Sequence, residues 1–167
     1  KRKVLLEMID KLYCDFETNA LSYYDPKFKV RLTGYLEPGG KVKQVETLKE
    51  FPLCNELWGF GNYEYFVAKQ QQYPIQKFIN QKIYLSLFNE NKRWSLGSTL
   101  EFIGKLNHKF LRQQWENLGF KWHDVPFQYL KPYNRLDVLA MEWIEDWFKG
   151  KYSLKQNALL QETNQHI

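Results

Sequence analysis

Cysteine is scarce in this chain of 167 residues, with only Cys14 and Cys54 present. Two cysteines cannot build a disulfide framework, and neither has partners at zinc-ligand spacing, so bridges and structural zinc are excluded as the main source of stability. One bridge is the most the chain could form, and a reducing, intracellular setting is the expectation. Histidine is equally thin: His108, His123 and His166 are scattered and match no zinc motif. Long apolar runs are missing as well. No stretch approaches the ~20 apolar residues of a membrane span, and no secretory h-region is present, so no membrane partner is expected. The chain lacks a glycine-rich nucleotide loop and a serine or cysteine nucleophile with partners. No repeat or linker divides it. One domain over residues 1–167 is therefore expected, long enough to bury most of its apolar surface. It begins at Lys1 rather than Met, which fits a trimmed protein or a piece of a longer one.

What is present points to a packed globule. Hydrophobic residues make up 44% and aromatic residues 17%, too much for a disordered chain. The net charge of +5 is a mild basic bias, compatible with a polyanionic partner. Between Asn62 and Trp94, Lys69, Lys77, Lys82, Lys92 and Arg93 face only the acids Glu64 and Glu90. That window is either a nucleic-acid surface or an ordinary solvated face.

Residues 1–10 read as an amphipathic lead-in, with Val4, Leu5, Met8 and Ile9 at helical spacing. Leu12–Phe16 then predicts a strand. Lys29–Leu36 and Lys41–Val45 predict a hairpin around the turn Pro38-Gly39-Gly40. Leu48–Cys54 suggests a short helix broken by Pro52, and Glu56–Phe60 a buried strand. Helices are predicted over Tyr63–Gln72, Ser95–Leu106 and Phe110–Leu118, while Ile79–Leu87 fits a strand or a helix equally well. Gly119–Pro132 reads as a loop. Tyr133–Phe148 is the strongest helix, with Gly150 as its terminator and a polar tail over 151–167.

Two motifs carry chemistry. In the first strand, Asp15 and Glu17 stand at alternate positions, so both side chains point to one side and can share a metal ion. In the last helix, Tyr133 and Asp137 are spaced i, i+4 and reach one point in space. Hard oxygen ligands of this kind suit divalent ions, and two such ions ~3.5–4 Å apart suit phosphodiester hydrolysis. Core packing and solvated carboxylates are the plain alternatives for each motif taken alone. The tryptophans read mostly as core, Trp122 included, although a loop position would also let Trp122 stack on a base.

Strand-borne Asp-x-Glu in Asp15-Phe16-Glu17-Thr18-Asn19-Ala20-Leu21, with helix-borne Tyr133-Asn134-Arg135-Leu136-Asp137, resembles the 3′–5′ exonucleases of the RNase H-like (DnaQ-type) superfamily, in their tyrosine-containing branch. The resemblance spans roughly residues 11–150. It implies an α/β fold with a mixed five-stranded sheet and helices on both faces. It implies two Mg2+ or Mn2+ ions, with Asp15 bridging them, Glu17 and Asp137 as further ligands, and Tyr133 orienting the attacking water. Thr18, Asn19 and Leu21 would approach the terminal nucleotide, with Asn62 and Lys69 also on the substrate. Lys105 and Arg112 are further candidates for phosphate contacts. The implied partner is the 3′ end of a single strand, DNA before RNA, with a polymerase as companion, and the implied role is proofreading or repair.

The chain departs from the family's middle motif. Asn62 fits its asparagine and Tyr65 its aromatic residue, but Phe66 stands where an acid belongs. Glu64 takes that place if the loop is two residues shorter; otherwise the site is one ligand short. A later Asp-Thr signal is matched only by Asn80-Gln81, with Asp124 a remote substitute. His123 lies where histidine-type relatives place their water-orienting group, yet Tyr133 has the proper spacing to Asp137. The second expectation is therefore a degenerate exonuclease fold that binds nucleic acid or protein without cutting.

Overall fold

The structure, a computed structural model, describes residues 8–165. Five strands form one mixed sheet: β1 (Ile9–Thr18), β2 (Val30–Leu36), β3 (Lys43–Val45), β4 (Cys54–Gly59) and β5 (Lys77–Asn80). Their spatial order is β3-β2-β1-β4-β5. Both hairpin pairings, β1 with β2 and β2 with β3, are antiparallel, whereas β4 and β5 run parallel to β1. The α/β class and mixed five-stranded sheet expected from the sequence are thus present.

Alternation along β1 decides what each face does. Leu12, Cys14 and Phe16 point to one side, where they pack with Leu57 of β4 and with Val67 and Ala68 of α1 (Tyr63–Gln70). Tyr13 points to the other side and meets Leu36, Trp58, Val138 and Met141, the last two from α5 (Phe127–Gln165). Helices therefore cover both faces. Along the chain between α1 and α5 come α2 (Gln81–Phe88), α3 (Leu96–Phe102) and α4 (Phe110–Asn117). A separate aromatic-rich cluster of Leu85, Trp94, Leu100 and Ile144 ties α2 and α3 to α5.

Several boundaries differ from the sequence reading. Of the proposed lead-in, residues 1–7 lie outside the described residues, and Ile9 and Asp10 already belong to β1. Leu48–Cys54 is not a helix: only Leu48–Glu50 makes a 3-10 turn, and Cys54 opens β4. The ambiguous stretch at Ile79–Leu87 is both things in succession. β5 ends at Asn80, whose side chain accepts from the Lys82 N–H at 3.0 Å and so starts α2. The predicted loop at Gly119–Pro132 contains a 3-10 turn at Trp122–Asp124 and the first turns of α5, which begins at Phe127 and accommodates Pro132. Nor does Gly150 stop that helix, which continues to Gln165, so the predicted tail is helical that far. Gly150 keeps helical backbone because nothing there demands a left-handed residue.

Cys14 and Cys54 are both buried and free. Among the described residues no helix is long and apolar enough to cross a membrane.

Candidate metal centre

The C-terminal end of β1 opens into a cleft of about 590 Å³ whose lining includes Asp15, Glu17, Thr18, Tyr63, Glu64, Tyr133 and Asp137. Asp15 and Glu17 share the side of β1 that faces α5, because they follow the parity of Tyr13. Asp137 comes down from α5 to meet them. One carboxylate oxygen from each lies within 4.8 Å of the other two, a spacing that a single cation with ligand bonds of roughly 2.0–2.6 Å can span. The two sequence motifs therefore converge on one point.

Close approach of α5 to the sheet depends on a glycine. Gly34 of β2 pairs directly with Asp15, and a Cβ there would lie 2.2 Å from Asn134 Oδ1 and 2.9 Å from Val138 Cγ2. With that space open, Asn134 donates from Nδ2 to Asp15 Oδ2 at 2.9 Å and to the Asp15 carbonyl at 3.2 Å. A register shift between Glu17 and Thr18 bends β1 just past the acids. Gly59 plays the same part for Glu64: a Cβ would sit 3.0 Å from Glu64 Oε2.

Asp137 is held from α4's side. His108 Nε2 donates to Asp137 Oδ1 at 2.6 Å, and Lys109 Nζ donates to the same oxygen at 2.7 Å. The Lys109 ammonium also sits 4.7 Å from the centre of the Tyr133 ring. Glu17 receives a long hydrogen bond from Trp122 Nε1, at 3.4 Å. Trp122 is fixed in turn by Arg31, whose guanidinium donates to the carbonyls of His123 and Val125 at 2.7 and 2.8 Å.

The electrostatics follow from crowding acids in a partly dry place. Withdrawal from solvent, then the charges of Asp137 and Glu17, push Asp15 well above the usual carboxylate range. Burial and the Asp137 charge raise Glu17 to about 7, with Lys109 opposing. Glu64 rises to about 8, chiefly by burial and then by Asp137, against its own backbone N–H and Lys109. For Lys109, burial favours the neutral amine, but Asp137 and Asp15 outweigh it and keep the ammonium charged. Burial and the Asp137 charge push Tyr133 up to about 12, so its hydroxyl keeps its proton near neutral pH.

These residues fit divalent cations. Three convergent carboxylates are hard oxygen donors that repel one another without a countercharge. Glu64 Oε2 and the Tyr133 hydroxyl are both buried without a hydrogen-bond partner.

Other candidates do not converge. Asn19 ties its own loop together, donating to Lys27 O and accepting from Lys29 N, while Leu21 lies outside the cleft lining. Asn62 precedes α1 and accepts from Asn80 Nδ2, and Lys69 lines a separate hollow with Tyr65 and Tyr73. Phe66 is half-exposed and stacked on Tyr23, and Asp124 is exposed beside His123. Asn80 is used up in capping α2 and in accepting from Gly61 N. In the basic window, Lys77 pairs with Glu56, Lys82 lies over Phe60 and Lys92 lies over Trp94. Lys105 lies over Trp143. Arg112 does line the cleft, as does Lys121.

Sequence reasoning missed His108, Lys109 and Asn134. For Asn134 a signal existed, since a glycine inside a strand marks a close approach by another element. His108 and Lys109 carry none, because tertiary packing alone brings them to Asp137. Compared with protein-family models and with curated proteins, the chain matches none.

Proposed function

We propose that the protein is a metal-dependent 3′–5′ exonuclease acting on single-stranded nucleic acid. The observation that carries this reading is the meeting of Asp15, Glu17 and Asp137 within 4.8 Å at the mouth of a cleft. The strand order, with an acidic pair on the central strand and Tyr-x-x-x-Asp on the last helix, is also what the resemblance to RNase H-like exonucleases implies. Asp15, Glu17 and Asp137 would hold Mg2+ or Mn2+, while Glu64 lines the same cleft outside the converging triad and would be a further ligand. Divalent ions held there shield phosphate charge and promote attack by water.

The chain's own groups supply the rest. Tyr133, protonated near neutral pH, would offer its hydroxyl to position the attacking water. Lys109 offsets part of the carboxylate charge from beside Asp137. Arg112 and Lys121 line the cleft, and their charges support this reading by suiting phosphate oxygens, contacts that set register without reading sequence. Asn134, His108 and Trp122 hold the three acids in place through the hydrogen bonds described above. DNA as the preferred substrate, a polymerase companion and a role in proofreading or repair belong to the same proposal.

One observation favours a second reading, a degenerate fold that binds without cutting. The Lys109 ammonium already contacts Asp137 and so supplies a cation within the acidic cluster. A 5′-labelled single-stranded oligonucleotide, incubated with Mg2+ or Mn2+ against chelator, separates the two. Exonuclease activity predicts a metal-dependent ladder shortened from the 3′ end and lost in Asp15→Ala. Binding without any ladder would sink the exonuclease and leave the degenerate fold.

A further inference from the structure

Near the cleft lies a group of aromatic rings of which only Tyr23 packs against the core. The β1–β2 connection carries Tyr23 and Tyr24, and α1 carries Phe66. Tyr23 and Phe66 stack with planes 4° apart and centroids 5.5 Å apart, and Tyr24 leans on Tyr23 at 4.4 Å. Tyr24 is 82% exposed and Phe66 41% exposed, so ring faces remain open to solvent. The loop that presents them is braced. Asn19 clamps its two ends by accepting from Lys29 N and donating to Lys27 O, and Asp25 accepts from Lys27 N at 2.8 Å. Large rings held in water on a braced loop are an unfavourable use of apolar surface unless something covers them.

The cleft lining runs into the two chain segments that carry these rings. Tyr63, three residues before Phe66 and so on the same side of α1, lines the cleft, with its hydroxyl 3.0 Å from Thr18 Oγ1. Ala20, at φ 62°, turns the chain from the cleft lining into the aromatic loop. Lys27 and Lys29 are exposed on the same loop, where their charges suit phosphates.

We propose that Tyr23, Tyr24 and Phe66 form a stacking platform for unpaired bases of single-stranded nucleic acid leading into the cleft. The proposal rests on the exonuclease reading for the identity of the strand. Aromatic rings accept any base by its face, so the platform is tolerant of sequence, but it requires bases freed from a duplex.

The test is equilibrium binding of a 5′-fluorescein oligothymidylate, followed by anisotropy in chelator, for wild type, Tyr24→Ala and Tyr24→Phe. The expected result is a Kd about ten-fold weaker for Tyr24→Ala and near wild type for Tyr24→Phe, since the ring and not the hydroxyl does the stacking. An abasic site walked through the oligonucleotide should weaken wild type at one position and leave Tyr24→Ala indifferent there. Equal affinities for wild type and Tyr24→Ala overturn the platform. So does a Tyr24→Phe loss equal to that of Tyr24→Ala, or a wild type that fails to bind. Cleavage is scored separately with metal. Ring-dependent binding without cleavage refutes the exonuclease and keeps the platform; cleavage with ring-independent binding does the reverse.

Discussion

On the α1 side of the sheet, Leu12, Cys14 and Phe16 lie in an apolar cluster with Leu57, Val67 and Ala68. One residue along the same strand, on the α5 side, Asp15 and Glu17 gather with Asp137 around a cleft. The first set removes apolar area from water and stabilises the fold. The second opposes it, because the Asp15 and Glu17 carboxylates are held where charge is disfavoured. Glu64 Oε2, the Tyr133 hydroxyl and His108 Nδ1, all buried and unpartnered, belong to this second set. A two-residue period thus divides one strand into a part that maintains the fold and a part that the fold maintains.

Substitution on each side should separate stability from activity. Asp15→Asn keeps the shape but removes a ligand charge. Metal-dependent cleavage should fall by more than the ~100-fold lost when an outer-shell partner is removed. Its melting temperature in chelator should stay level or rise, because a repulsive charge leaves the cluster. Leu57→Ala should do the opposite, costing about 2–5 kcal/mol of stability while cleavage per folded molecule persists. Thermal melts and a gel assay of each variant check both. The division fails if Asp15→Asn lowers the melting temperature as far as Leu57→Ala does.

That division was legible in the sequence because periodicity assigns faces without knowledge of the fold. Asp15 with Glu17 and Tyr133 with Asp137 each had to share a side, and only their meeting needed the structure. Glu64 was half legible. Its carboxylate reaches the cleft because Gly59 leaves room, a dependence between two elements that no local spacing records. Lys109 and His108 were illegible for a related reason: they precede α4, and the His108–Asp137 contact spans 29 residues of sequence rather than one helix face. Boundaries failed where punctuation misled. Pro132 did not prevent α5 from starting at Phe127, nor did Gly150 end it. At Asn80 a strand becomes a helix with no intervening turn residues, so both patterns were present at once.

A smaller effect should appear on titration. Glu17 at about 7 and Glu64 at about 8 both stand above their ordinary value of 4.5. A carboxyl with a raised folded-state pKa contributes stability that is complete below its unfolded pKa and is lost as pH rises through the folded one. In chelator, the melting temperature should therefore fall between about pH 5 and pH 8 through these groups, given the linkage of protonation to folding. Glu64→Gln should flatten the upper part of that fall. Mg2+ should restore more stability at pH 8 than at pH 5, because cations bind the ionised form. A melting temperature that rises steadily over this range in chelator would contradict the crowding of acids around the cleft.

The smallest effect tests how the acidic side is held. Trp122 packs against Tyr133 with ring centroids 4.4 Å apart and reaches Glu17 only through a long 3.4 Å hydrogen bond. Trp122→Phe keeps most of the packing and removes the N–H. The metal concentration for half-maximal cleavage should then rise by about ten-fold at most, the lower end of the range for outer-shell partners. Activity at saturating metal should stay near wild type. Trp122→Ala, which also removes the wall behind Tyr133, should lower the saturated rate too. If Trp122→Phe alone lowers the saturated rate and leaves the metal requirement unchanged, the indole acts on the substrate rather than on Glu17. The apolar cluster around Trp122 would then be part of the reacting surface, and the boundary between the two sets of residues would move to include it.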